Sequence, residues 1–180
     1  MGATYDFEPE KLIIGVIYHD KAVLDEVVEI LVSEFGEWDA ICPEYSFSKE
    51  FSNYYDAELG GEGIRRIYSF KKTVAPERQA EIKEFTNDIE KRFSDENGRK
   101  INLDPGFINS GRFMLATTKD SGFRVPLKRG IYTELTLFWA RGEWHKFPWT
   151  YRDYQTKKVQ DFLASVRKIY LKQRKDAKLY

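Results

Sequence analysis

The run Leu12–Tyr18, LIIGVIY, is apolar at every position and is flanked by Lys11 on one side and His19-Asp20 on the other. It is far too short to cross a bilayer, which takes about 20 residues of helix. It also lacks the polar alternation of a strand with one wet face. Lys11–Asp20 therefore reads as a strand buried on both faces. A chain of 180 residues is long enough for this, since domains of about 100–200 residues bury roughly 70% of the surface their unfolded chains expose. One domain over residues 1–180 is the expectation. With 42% apolar and 16% aromatic residues, the core needs neither a disulfide nor a structural metal. Cys42 is the one cysteine, so no intramolecular disulfide forms. No Cys/His spacing suggests zinc. The start MGATYDFEPEK has no basic and apolar signal segment and no myristoylation pattern. A cytoplasmic protein without membrane attachment is expected.

Asp20 suits the N-cap of a following helix, whose apolar stripe is Leu24, Val27, Val28, Leu31 and Phe35, with Gly36 ending it. Trp38–Phe47 reads as a weaker strand interrupted by Pro43, followed by an aromatic, Gly-containing loop over Phe51–Gly63. Arg65–Thr73 is a second firm strand. Pro76 opens a helix with the stripe Ile82, Phe85, Ile89 and Phe93. Pro105-Gly106 fits a type II turn. Phe113–Thr118 and Phe123–Lys128 read as a hairpin joined at Lys119–Gly122, and Ile131–Trp139 alternates as a half-buried strand that returns through Ala140–Glu143. Pro148–Tyr154 is an aromatic linker into a last helix from about Thr156. The order predicts an α+β fold: a β-α-β-β-α-β start of ferredoxin-like flavour, extended by antiparallel strands and closed by a C-terminal helix.

Net charge is zero, but residues 1–98 hold 11 Lys and Arg against 22 Asp and Glu, and residues 99–180 hold 18 against 7. Either the halves interleave and neutralise each other, or a basic face attracts an anion.

Four words of the second half, NLDPG (Asn102–Gly106), ATTK (Ala116–Lys119), RGIYTELTL (Arg129–Leu137) and PWTYRDY (Pro148–Tyr154), together with KLIIGVIYHD, resemble a bacterial family catalogued as domain of unknown function 4416. The resemblance spans nearly the whole chain. It implies a fold and a cytoplasmic setting but no activity. Members are often labelled GTP-binding, yet this chain has no GxxxxGK[ST] phosphate loop. Gly60-Gly61-Glu62-Gly63 runs into Ile64-Arg65-Arg66, and Asp120 stands one residue too early for a guanine-reading Asn/Thr-Lys-x-Asp.

The candidate site residues divide into cations, carboxylates and aromatics. Lys119, Arg124, Lys128 and Arg129 form a basic run suited to phosphate or carboxylate, or else a charged edge strand. Glu134 sits inside an apolar strand on what alternation makes its more accessible face. It is either an acid/base or metal ligand, or a cross-strand ion-pair partner. Asp104 either shapes a turn or joins Glu134 in holding magnesium for phosphoryl or nucleotidyl chemistry. Trp149 and Tyr151, with Trp144, Phe147 and Tyr154, either stack a planar ligand or anchor the linker to the core. His19 and His145 show no triad or ligand spacing. The leading expectation is a domain that binds an anionic small molecule, a nucleotide or phosphometabolite, at the basic hairpin. The alternatives are a metal-dependent enzyme using Asp104 and Glu134, or a protein-interaction module using the Phe51–Gly63 loop. Overall neutrality and the absence of any nucleic-acid-binding word argue against nucleic acid.

Overall fold

All nine residues of strand β1 (Glu10–Tyr18) are buried, because β1 lies inside a sheet covered on both faces. The computed structural model describes residues 2–177. After β1 come α1 (Lys21–Phe35), β2 (Trp38–Ile41), β3 (Tyr45–Ser46), the short helices α2 (Phe47–Glu50) and α3 (Asp56–Leu59), and β4 (Ile64–Val74). A 3-10 turn at Pro76–Arg78 leads into α4 (Gln79–Arg92), then β5 (Ser94–Asp95), β6 (Gly98–Arg99), β7 (Ile101–Ile108) and β8 (Arg112–Thr117). The chain continues with β9 (Val125–Pro126), β10 (Tyr132–Ala140) and β11 (Glu143–Lys146). A 3-10 turn at Asp153–Gln155 precedes α5 (Lys157–Asp176).

The main sheet has the order β11-β10-β8-β7-β1-β4-β2, and every pairing in it is antiparallel. Its β7-β1-β4-β2 portion is the fourth-first-third-second arrangement of a ferredoxin-like split βαβ, and β8, β10 and β11 extend the β7 edge. The α+β class is as the element order predicts. Residues of β1 alternate between two cores. Leu12, Ile14 and Val16 meet Leu24, Val27, Leu31 and Phe35 of α1 and Ile82 and Ile89 of α4. Ile13 meets Val159, Leu163 and Val166 of α5, together with Ile67, Phe113 and Leu137. Fully burying one such side chain contributes about 1.5–3 kcal/mol, and β1 does so on both of its faces.

Local signals behave as their chemistry requires. Asp20 accepts from the Ala22 amide at 2.8 Å, capping α1, and Gly36 leaves α1 at φ 82°. Thr156 caps α5. Arg141 and Gly142, at φ 51° and 87°, form the two-residue turn between β10 and β11, in the type I′ form that matches strand twist.

Several expectations are corrected. Pro105-Gly106 is not a turn but lies within β7, where Pro105 faces Ile14 of β1. Gly106 is there for space, since a Cβ would come within 2.3 Å of the Met114 carbonyl. Phe123–Lys128 does not form a hairpin with β8. Only Val125-Pro126 is extended, and it pairs with Tyr132 and Thr133 of β10. The Phe51–Gly63 stretch contains α3. Phe51 and Tyr55 turn inward against Phe47, which leaves Tyr54 as its exposed aromatic side chain.

Strand β10 does not alternate along its length. Its register against β8 shifts between Leu135 and Leu137, a bulge that brings Glu134 and Leu137 onto the same face. Glu134 is consequently 2% exposed and Leu135 is 41% exposed, the reverse of simple alternation. The linker seals the bulge. Trp149 Nε1 donates to the Leu135 carbonyl at 2.8 Å, and Thr150 Oγ1 donates to the Thr136 carbonyl at 2.6 Å.

The divided charge is used internally to a large extent. Second-half cations pair with first-half carboxylates in Arg99–Glu58, Arg99–Glu90, Lys100–Asp95, Arg112–Glu10, Lys128–Glu81, Arg129–Glu84 and Lys158–Glu50. Among the described residues, no helix is long and apolar enough to cross a membrane.

The Thr150 hydroxyl is buried and also accepts from the Phe147 amide. Thr150→Val strands an acceptor and a donor, and buried unpaired groups cost about 1–3 kcal/mol each. The variant is expected to lose about 2 kcal/mol in urea denaturation, and unchanged stability would show that the linker does not hold the bulge.

Candidate functional site

Strands β7 and β8 pair over only three positions, from Gly106–Leu115 to Ile108–Phe113. Beyond Gly106 they part, and β8 continues along β10 to Thr117. The freed edge of β7 carries backbone groups with no strand to meet, and buried groups of that kind must be paired. Helix α4 supplies the partners: Glu90 Oε1 accepts from the Leu103 amide at 2.6 Å, and Lys83 Nζ donates to the Leu103 carbonyl at 2.8 Å. A cavity of about 130 Å³ occupies the gap, lined among others by Asn102, Asp104, Ala116, Thr117, Lys119 and Glu134.

Its floor is built around Arg65. This β4 side chain is 2% exposed. Gly15 on β1 lies directly opposite Asp104 on β7, and a Cβ at Gly15 would come within 2.6 Å of Arg65 Nη2. The glycine leaves a gap through which the guanidinium crosses β1. Nη1 donates to Asp104 Oδ2 at 2.9 Å, Nη2 donates to the Tyr154 hydroxyl at 2.8 Å, and Nε stands 3.5 Å from Asp153 Oδ2. Asn102 Nδ2 also donates to Asp104 Oδ2, at 2.9 Å. Burial pushes the Asp104 carboxyl up, but Arg65, Lys83 and Arg99 outweigh it and hold the group below its ordinary range. Asp153 is the opposite case, since burial raises it despite Arg65.

A second arginine braces the upper wall. Arg124 Nε donates to Glu134 Oε2 at 2.8 Å, Nη1 to the Lys119 carbonyl at 2.9 Å, and Nη2 to the Tyr151 hydroxyl at 2.9 Å. Among the described residues, Glu134 Oε1 is buried with no hydrogen-bond partner. Burial raises the Glu134 carboxyl against the pull of Arg124. The cavity thus sets a carboxylate held ionised near a carboxyl biased toward its proton, the kind of divergence that separates acid from base roles in enzymes.

The sequence candidates sort cleanly. Asp104, Lys119, Glu134 and Tyr151 line the cavity, and Arg124 touches three of them, Lys119, Glu134 and Tyr151. Lys128 and Arg129 do not join the group. They reach away to Glu81 and Glu84 of α4, because the segment that carries them is not a hairpin strand. Trp149 is sandwiched between Phe123 and Phe147 at 4.8 and 4.9 Å, so its ring faces are spent on the protein. The floor residues Arg65, Lys83, Arg99 and Asp153 were not among the sequence candidates. Gly15 inside an apolar strand was the available signal, since such a glycine often marks a close approach.

As for metal, Asp104 and Glu134 line one cavity, but each already holds a guanidinium within 2.9 Å. Among the described residues, no group of three or more His, Cys, Asp or Glu side chains is arranged to hold a metal ion.

The family model described as Domain of unknown function (DUF4416) matches residues 8–170. The chain belongs to the DUF4416 family. Comparison with curated proteins and with solved structures returns no match. Four motif words of this DUF4416 chain each contribute to the lining: Asn102 and Asp104; Ala116–Lys119; Glu134; and Tyr151, Asp153 and Tyr154.

Arg65→Ala would leave Asp104 and Asp153 buried without their cation, and breaking such a pair costs about 3–5 kcal/mol. In the intact protein the lowered Asp104 pKa stabilises the fold above the unfolded value of about 3.9. That contribution is lost as pH falls through the lower folded value. The deficit of Arg65→Ala relative to the intact chain should therefore be largest at pH 7 and shrink below about pH 4. Chemical denaturation at both pH values measures it, and a pH-independent deficit would contradict the pairing.

Proposed function

We propose that the cavity binds a small polar metabolite bearing an anionic group, of the phosphometabolite kind, and that Lys119 is the cation that meets it. The observation that carries this reading is the state of the charges. Arg65, Lys83 and Arg99 hold protein oxygens within 3 Å. The exposed Lys119 ammonium has no carboxylate partner among the described residues and lies 5.8 Å from the Tyr54 ring centre. The lining sets Arg65, Lys83, Arg99 and Lys119 against Asp104, Glu134 and Asp153, a formal excess of one positive charge, and a positive excess attracts anions.

A volume of about 130 Å³ is below the roughly 300–1,000 Å³ of sites that enclose drug-sized ligands. It suits a charged head group rather than an entire nucleotide. The metal-dependent alternative is less favoured, because a magnesium ion between Asp104 and Glu134 would face the guanidiniums of Arg65 and Arg124.

Isothermal titration with inorganic phosphate and glycerol phosphate tests the proposal. A charge-assisted hydrogen bond contributes about 1.5–3 kcal/mol, so Lys119→Ala should weaken binding about tenfold or more. The double variant Lys128→Ala, Arg129→Ala should bind as the intact chain does. Absence of binding by both anions, or a Lys119→Ala variant that binds undiminished, would refute it.

A further inference from the structure

A second, shallower depression of about 320 Å³ adjoins the cavity, and the two share Phe47, Tyr151 and Asp153 as lining residues. Phe51, Ser52 and Arg152 complete this groove. Its character differs from that of the cavity. Phe51 is held edge-on by Tyr45 at 5.9 Å and tilted against Phe47 at 5.8 Å. Tyr151 is 45% exposed, and its hydroxyl is committed to Arg124. Phe51 is held by Tyr45, Phe47 by Tyr55 and Tyr151 by Arg124, all outside the groove, and the three rings offer apolar surface beside a strongly polar chamber.

We propose that the groove seats a planar ring joined to the anion whose charged group enters the cavity, so that the ligand class is a ring-bearing anion. This rests on the anion-binding reading above. Three observations lead to it. The cavity alone has room for a head group only. The adjoining wall is aromatic, which suits ring-on-ring packing, and rings already held in place lose little freedom on binding. Tyr151 belongs to both compartments, so a ligand crossing from one to the other passes the residue that Arg124 holds in position.

Titration with inorganic phosphate, methyl phosphate and phenyl phosphate separates the two proposals. Phenyl phosphate should bind about tenfold more tightly than methyl phosphate. Ser52 is exposed and lines the groove but not the cavity. Ser52→Trp fills the groove and should abolish the difference between the esters without changing phosphate binding. Phe51→Leu keeps apolar bulk but removes the ring, and it should reduce the same difference. If phosphate binds and the two esters bind equally, the ring seat is refuted and the anion site stands. A preference for the phenyl ester that survives both variants also refutes it, because the ring then lies elsewhere. If none of the three anions binds, both proposals fall.

Discussion

A guanidinium buried in the middle of a β-sheet is expensive, because removing an ion from water costs several kcal/mol even after relaxation. Arg65 is tolerated because three side chains from two parts of the chain converge on it: Asp104 from β7, and Asp153 and Tyr154 from the linker before α5. Gly15 provides the passage across β1. The same contacts tie β4, β7 and the approach to α5 into a fixed relationship. The fold and the site therefore depend on one cation. Its burial is offset only while each of those segments is in place, which makes the floor of the cavity a point of structural specificity as well as of chemistry.

The irregular parts of the sheet gather around this cation. Beyond Gly106, β7 and β8 separate, and α4 supplies Lys83 and Glu90 to the exposed edge. Strand β10 bulges at Leu135–Leu137, and the linker takes up the two carbonyls there. Each departure from a regular ladder is repaired by side chains. Together they turn an otherwise filled sheet interior into a polar chamber. Bulges beside sites are common for this reason, since they re-aim a side chain without ending the strand. Here the side chain that is re-aimed is Glu134.

Regular elements were readable because periodicity acts locally. The run at Leu12–Tyr18, the stripes of α1 and α4 and the Arg141-Gly142 turn all depend on neighbours a few residues apart. The site was only partly readable, since its geometry depends on pairings between distant segments. Asp104, Lys119, Glu134 and Tyr151 were legible as polar groups in unusual settings. Arg65 was not, because an arginine at the start of a strand ordinarily faces water, and only Gly15, fifty residues earlier, hints otherwise. Pro105-Gly106 misled because a strong turn signal was overridden by tertiary pairing: Gly106 serves the close approach of Met114. The face of Glu134 was misjudged because a bulge shifts the period of two by one residue, and nothing within β10 itself marks where.

The partition of charge along the chain bears on how the molecule comes together. When the first 98 residues have left the ribosome they carry twice as many acidic as basic groups, and like charges hold such a segment apart. The carboxylates of Glu58, Glu81, Glu84 and Glu90 meet Arg99, Lys128 and Arg129 only once the later sequence is present. Strand β7, which completes the ferredoxin-like portion, is also late. In this order of synthesis the acidic segment would lack its neutralising partners until the cationic half follows, which disfavours early compaction.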